Sequence, residues 1–202
     1  MTRVSCIVEG HGEVKAVPLL LRRLADWRPS QMYVDVPLPI RVHRDRFLNR
    51  EDEFNRHLQL AGSKCGDDGW VLILLDADDD CPASRGSEIL ARARQVLPHR
   101  SISVVLANRE FEAWFIGAAA SLNNRRGLSI DAIDLTVDPE QPRDAKGWLS
   151  TRMSDNTYGE TTDQPAFTAL MDMHEAFNRC RSFRKLCEEW DRQCALIHTE
   201  CA

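Results

Sequence analysis

The run Trp70 to Leu75 (WVLILL) constrains this chain most. It lies between Gly69 and Asp76 and does not alternate, so the strand it predicts is buried on both faces, as in a parallel sheet covered by helices on each side. The rest of the chain supplies matching pieces. Arg3 to Val8 (RVSCIV) predicts a shorter buried strand, broken by Gly10-His11-Gly12. The helix that follows carries Val14, Val17, Leu20, Leu21 and Leu24 on one face and Lys15, Arg22, Arg23 and Asp26 on the other. Pro18 falls in its first turn or so, where a missing amide is best tolerated. Tyr33 to Val42 reads as extended, but Pro37 and Pro39 restrict it to an edge strand or a strand followed by a loop. Helices are expected over about Glu51 to Ala61, Ser87 to Leu97 and Glu110 to Ala120, with a further strand at Ile102 to Ala107. This order predicts an α/β fold with a mainly parallel sheet and helices on both faces. Residues 1–122 form that core. Residues 123–202 are a C-terminal extension packed on it, loop-rich with short helical signals around Lys146 to Arg152, then helical from Ala166.

Composition excludes several classes of protein. With 43% hydrophobic and 28% charged residues the chain is an ordinary folded globule. A net charge of −5 argues against a generally basic nucleic-acid coat, so any such contact is local. The short apolar start, ended by Glu9, does not resemble a signal peptide, and no run approaches the roughly 20 residues of a membrane span. A cytoplasmic location is the expectation. Four of the seven cysteines, Cys180, Cys187, Cys194 and Cys201, recur at seven-residue intervals. On a helix such positions share a face about 10 Å apart, too far to share one zinc, so buried reduced thiols are expected.

The acids stand where open α/β sheets bind ligands, beyond the carboxyl ends of the strands. Glu9 ends the first strand and Asp76 the central one. Asp78 lies two residues on, so in an extended chain both carboxylates point to the same side, while Asp79 points away. Asp80 and Glu13 complete the cluster or form a second one. Gathered carboxylates repel each other, and a hard cation with oxygen ligands keeps them ionised; Mg²⁺ or Mn²⁺ suits this set better than zinc. Glu110 and Glu112 follow the strand ending at Ala107 and add ligands on the same rim, although helical spacing does not put both on one face.

Hydrophobic strand, Glu-Gly-x-x-x-Glu, helix, then hydrophobic strand and Asp-x-Asp-x-Asp resembles the Toprim superfamily; here the stretches are CIVEGHGEVKAVPLLLRRL and WVLILLDADDD. That superfamily includes topoisomerases, bacterial primases and several nucleases. The resemblance implies Glu9 as general acid/base or metal ligand, Asp76 and Asp78 as metal ligands, and Mg²⁺-dependent chemistry on phosphodiester bonds of DNA or RNA. With NREFEAWF at Asn108 to Phe115 and the helical tail, the chain is similar to a stand-alone bacterial Toprim-like group of unknown function found with ABC-type ATPases in phage defence. The likeness implies a nearby ATPase as a partner, and no fused ATPase, primase or topoisomerase module is present in the sequence.

Other residues suit a nucleic-acid substrate. Lys146 can reach over the site to stabilise developing negative charge, and Arg109 can bind a phosphate. His11, flanked by glycines beside Glu9, can contact a phosphate, and Arg41, Arg44 and Arg46 belong to a basic stretch able to track a backbone. A Mg²⁺-dependent phosphatase with an Asp-x-Asp site fits less well, because it needs its aspartates on the first strand. A non-catalytic subunit of an ABC-type ATPase is the remaining alternative.

Overall fold

A computed structural model describes residues 2–28 and 33–200, the side chains of 198–200 excepted; Cys201 lies outside this range. The elements run β1 (Thr2–Val8), α1 (Glu13–Trp27), β2 (Val34–Asp35), β3 (Ile40–Arg41), α2 (Arg44–Asn49), α3 (Glu51–Cys65), β4 (Trp70–Asp76), α4 (Pro82–Val96) and β5 (Ser101–Ala107). After these come α5 (Ala113–Gly117), α6 (Ala119–Leu122), a 3₁₀ turn (Asp134–Thr136), α7 (Ala145–Ser150), α8 (Glu160–Leu170), α9 (Met173–Arg179) and α10 (Arg181–Glu200).

The sheet has the order β2-β1-β4-β5, and every pairing is parallel. β4 pairs with β5 along its whole length, from Trp70 opposite Ser101 to Asp76 opposite Ala107. Parallel pairing brings the carboxyl ends of β1, β4 and β5 to one rim. β2 and β3 lie along opposite ends of β1, Thr2 facing Val34 and Val8 facing Arg41. Pro37 and Pro39 occupy the gap between them, and a proline nitrogen donates no hydrogen bond, so the extended segment pairs only at its ends.

Strand residues alternate between two cores. Val4, Cys6, Val8, Trp70, Leu72 and Leu74 face α1 and the C-terminal helices, whereas Ile7, Val71, Ile73, Leu75, Ile102, Val104 and Leu106 face α2, α3 and α4. The unbroken apolar run of β4 is thus split by the pleat onto two covered faces. The first core is continuous across residue 122. Trp70 meets Trp190 edge-on at 6.1 Å, and the Trp114 indole N–H donates to Ser182 Oγ at 2.8 Å. Cys180, Cys187 and Cys194 are buried in it. Because Trp190 fills the space over the central strand, Trp190→Ala is expected to cost about 3–5 kcal/mol in urea unfolding. A loss below about 1 kcal/mol would mean that the tail contributes little to the core.

Two local features depart from the sequence expectations. α2 forms inside the basic stretch, where no helix was predicted. The helix expected from Glu110 to Ala120 is instead a pair of tight turns followed by α5 and α6: Ala113 N–H bonds Glu110 O and Phe115 N–H bonds Glu112 O. Glu110 and Glu112 therefore precede the regular helix. No helix among the described residues is long and apolar enough to cross a membrane.

Candidate acidic site

The loop after β1 is built around Glu13. Its side chain folds back over the helix start, and Oε2 accepts the N–H groups of Glu9 at 2.9 Å and Gly10 at 3.1 Å. On the central strand Asp76 Oδ1 accepts the Phe111 N–H at 2.8 Å, which ties the end of β4 to the segment after β5. Both carboxylates are buried. One oxygen of each is thus committed to backbone that shapes the rim.

Past Asp76 the chain is not extended. Asp78 adopts a left-handed conformation, φ 51°, and Asp80 N–H closes a turn onto Ala77 O at 2.9 Å. Asp76 and Asp78 therefore do not project side by side as on a strand, contrary to expectation: regular pairing ends at Asp76 opposite Ala107, Ala77 N–H and Asp78 N–H still bond Ala107 O at 2.9 Å and Arg109 O at 3.0 Å, and Asp78 to Asp80 form an exposed turn. Arg44 braces that turn. It donates to Asp76 O at 3.1 Å and Asp80 Oδ2 at 2.6 Å, and its Nη1 lies 3.3 Å from Asp78 Oδ2. Asp80 also lies 3.9 Å from Arg85. Asp79 points to Arg109 at 2.5 Å and Arg143 at 3.4 Å, and Arg109 donates to Asp78 O at 3.0 Å. Arg44 and Arg109 thus hold the acidic turn, while His11, Arg41 and Arg46 are exposed.

The segment after β5 brings in the remaining acids. Glu110 Oε2 accepts the Lys146 N–H at 3.1 Å, which fixes the start of α7. Glu112 is fully buried, and its Oε1 accepts from Tyr158 Oη at 3.0 Å and Gln164 Nε2 at 3.2 Å. Lys146 lies in the field of Glu112, Asp76, Glu160 and Glu110, with its Nζ 3.7 Å from Glu160 Oε2. Turns in place of a regular helix let both Glu110 and Glu112 face this lysine.

Tyr158, Glu160 and Gln164 were not legible as site residues. They lie about 150 positions from Glu9 in sequence, and only the glycines of Gly10-His11-Gly12 carry a trace of them. A Cβ on Gly12 would lie 2.1 Å from Gln164 Oε1 and 2.3 Å from Glu160 O; one on Gly10 would lie 2.6 Å from Glu160 Oε1. Neither glycine is needed for a positive φ, which Gly66 and Gly127 adopt instead. The loop is small so that α8 can reach the rim, and Glu160 Oε1 accepts the Gly12 N–H at 3.2 Å. Gly12→Ala drives a methyl into backbone and is expected to destabilise by about 1–3 kcal/mol in urea melts. Gly10→Ala, which meets only the end of a flexible side chain, should cost less; equal costs would contradict this packing.

Charge at the rim is strained toward protonation. Burial, with smaller repulsion from Glu112 and Glu9, pushes the Glu13 carboxyl up to about 7 despite the two loop amides that oppose it. Burial likewise pushes Glu112 up to about 7, against the opposing Lys146 ammonium. Asp76 is held well above the usual carboxylate range by burial, then by Glu13 and Glu112. Glu9 is raised by burial and by Asp78, with Arg44 and Lys146 opposing; Glu110 is raised by burial. Burial alone would lower the Lys146 ammonium, but its surrounding carboxylates outweigh that and hold it above its ordinary value.

Among the described residues no three His, Cys, Asp or Glu side chains are gathered closely enough to hold one ion as they stand. Glu9 Oε2 and Glu112 Oε2 are nevertheless buried without a hydrogen-bond partner, a state that costs about 1–3 kcal/mol per group or more when charged. Such oxygens suit a cation. A cleft of about 690 Å³ lies among α2, α3 and α4, lined by Leu48, Asn49, Phe54, Arg85 and Arg92, and none of the rim carboxylates lines it.

Fold and rim together define an α/β protein with an acidic, lysine-bearing site at the carboxyl edge of a parallel sheet. The chain belongs to the family described as Domain of unknown function (DUF4276), whose model matches residues 8–190. That span takes in Glu9, Asp76, Glu112, Lys146 and Gln164. Comparison with curated proteins and with solved structures found no match.

Proposed function

We propose that the protein is a Toprim-like, Mg²⁺- or Mn²⁺-dependent nuclease acting on phosphodiester bonds of DNA or RNA, the effector of a phage-defence system with a partner ABC-type ATPase. The observation that carries this reading is the meeting of Glu9, Asp76, Glu112 and Lys146 at one rim, with the buried Glu9 Oε2 and Glu112 Oε2 lacking partners. Glu9, Asp76, Asp78 and Glu112 would hold the cation, with Glu13 and Glu110 behind them and Asp80 at the margin. A bound cation supplies Lewis acidity toward a phosphoryl oxygen and a more acidic water.

The chain's own groups have separable roles. Lys146 keeps a positive charge at the rim, where it can stabilise charge developing on a phosphate. Glu9 is only part-buried, and burial raises its carboxyl above the ordinary range, so it can serve as the group that takes or returns a proton. Arg44 and Arg109 fix the acidic turn, and the exposed His11, Arg41 and Arg46 are available to a nucleic-acid backbone.

A second reading, a non-catalytic subunit of the ATPase, is favoured by the carboxylate oxygens already spent on backbone, Glu13 Oε2 and Asp76 Oδ1. One assay separates the two. Purified protein is incubated with plasmid, linear DNA and RNA in Mg²⁺, Mn²⁺ or chelator, alone and with an ABC-type ATPase encoded nearby. Cation-dependent cleavage is expected. No cleavage under any condition, with the two proteins forming a stable complex, would replace the nuclease with the subunit.

A further inference from the structure

The C-terminal extension does more than cover the sheet. Glu112 receives two donors on Oε1, Tyr158 Oη at 3.0 Å and Gln164 Nε2 at 3.2 Å, while its Oε2 receives none. Both donors lie in or just before α8, which is seated on the loop between β1 and α1 by the close contacts at Gly10 and Gly12. The donors are themselves fixed. The Tyr158 ring stacks on buried Phe167 at 6.1 Å, its backbone N–H donates to Ser150 Oγ at 3.2 Å, and Gln164 is almost wholly buried. Two donors on one carboxylate oxygen fill its acceptor sites and leave those of the other oxygen open.

We infer that Tyr158 and Gln164 are positioning residues, which orient Glu112 so that Oε2 is presented to a divalent cation at the acidic rim. The inference rests on the cation-dependent reading above and adds to it that the C-terminal extension completes the site. An acid held by one hydrogen bond swings about that bond; an acid held by two is aimed. The arrangement also gives Glu112 its geometry without the helical register that the sequence suggests.

Tyr158→Phe removes one donor and keeps the ring on Phe167. Gln164→Met removes the other in nearly the same volume. Thr162→Val on the exposed side of α8 is the control. Mn²⁺ is titrated into each full-length protein and free ion is followed by electron paramagnetic resonance, with thermal melting in chelator alongside. The double variant is expected to bind Mn²⁺ about 10–100-fold more weakly than the parent, with smaller losses in the single variants and none in the control. Melting temperatures of the single variants should stay within roughly 3 °C of the parent. Parent-like affinity in both single variants and in the double variant would overturn the positioning role while leaving the cation reading intact. A parent protein that binds no Mn²⁺ would overturn both.

Discussion

Asp76→Asn is expected to abolish cation-dependent cleavage, lowering the rate by at least about 10³-fold, while the protein stays folded. Asparagine is the informative choice because Asp76 Oδ1 accepts the Phe111 N–H at 2.8 Å. The amide oxygen keeps that bond, whereas Asp76→Ala strands a buried donor at a cost of about 1–3 kcal/mol. The substitution also removes a charge from a place where burial and the neighbouring Glu13 and Glu112 hold the carboxyl toward its neutral form. Stability at pH 8 should therefore hold or rise as activity disappears. Asp79, which faces Arg109 and Arg143 in the exposed turn, is the comparison: Asp79→Asn should reduce the rate only a few-fold. Equal losses at the two positions, or full activity in Asp76→Asn, would show that cleavage does not pass through this acid.

The second large effect is on stability. Glu13 and Glu112 are both pushed up to about 7 from an ordinary 4.5, so between those pH values the folded protein binds more protons than the unfolded chain. Stability accordingly falls as pH rises through that window and levels off above it. Each group accounts for a loss on the order of 3 kcal/mol, and the pair for less than twice that because they interact. Asp76 acts in the same direction. Asp134, lowered first by its bond from Arg152, and Glu189, which Lys185, Arg192 and Ser103 hold down against burial, act in the opposite direction at lower pH. In urea unfolding with chelator the protein should be more stable at pH 5 than at pH 8. Glu112→Gln should flatten the profile and stabilise the protein at pH 8. A parent as stable at pH 8 as at pH 5 would contradict the burial of these acids as charges without a cation.

Much of this arrangement is legible in the sequence because it depends on local rules. A short, non-alternating apolar run bounded by Gly69 and Asp76 reads as a strand covered on both faces, and strand ends in a parallel sheet share a rim. Glu9 and Asp76 follow from that placement, while Lys146 is read separately, as a lysine able to reach over the site. What escaped depends on tertiary packing. Asp78 was expected beside Asp76 on the assumption of an extended chain, and a left-handed residue, which an aspartate tolerates better than most, broke the alternation. The arginines Arg44 and Arg109 look free for phosphate in sequence, but each is drawn to the nearest buried or crowded carbonyls and carboxylates. Tyr158, Glu160 and Gln164 carry no motif; only the docking of α8 brings them to Glu112 and the glycine loop.

The most direct measurement is the thermal melting of metal-free protein at pH 8 as MnCl₂ is added, for the parent and for Asp76→Asn. A cation bound among these acids stabilises the folded state by mass action and offsets their mutual repulsion, with no need for a substrate or a partner. The parent is expected to gain about 2.7 kcal/mol at a Mn²⁺ concentration 100-fold above its Kd, seen as a saturable rise in melting temperature, and the variant to lose most of that rise. A parent whose melting temperature does not respond to Mn²⁺, or a variant that responds as the parent does, would contradict a cation site at Asp76.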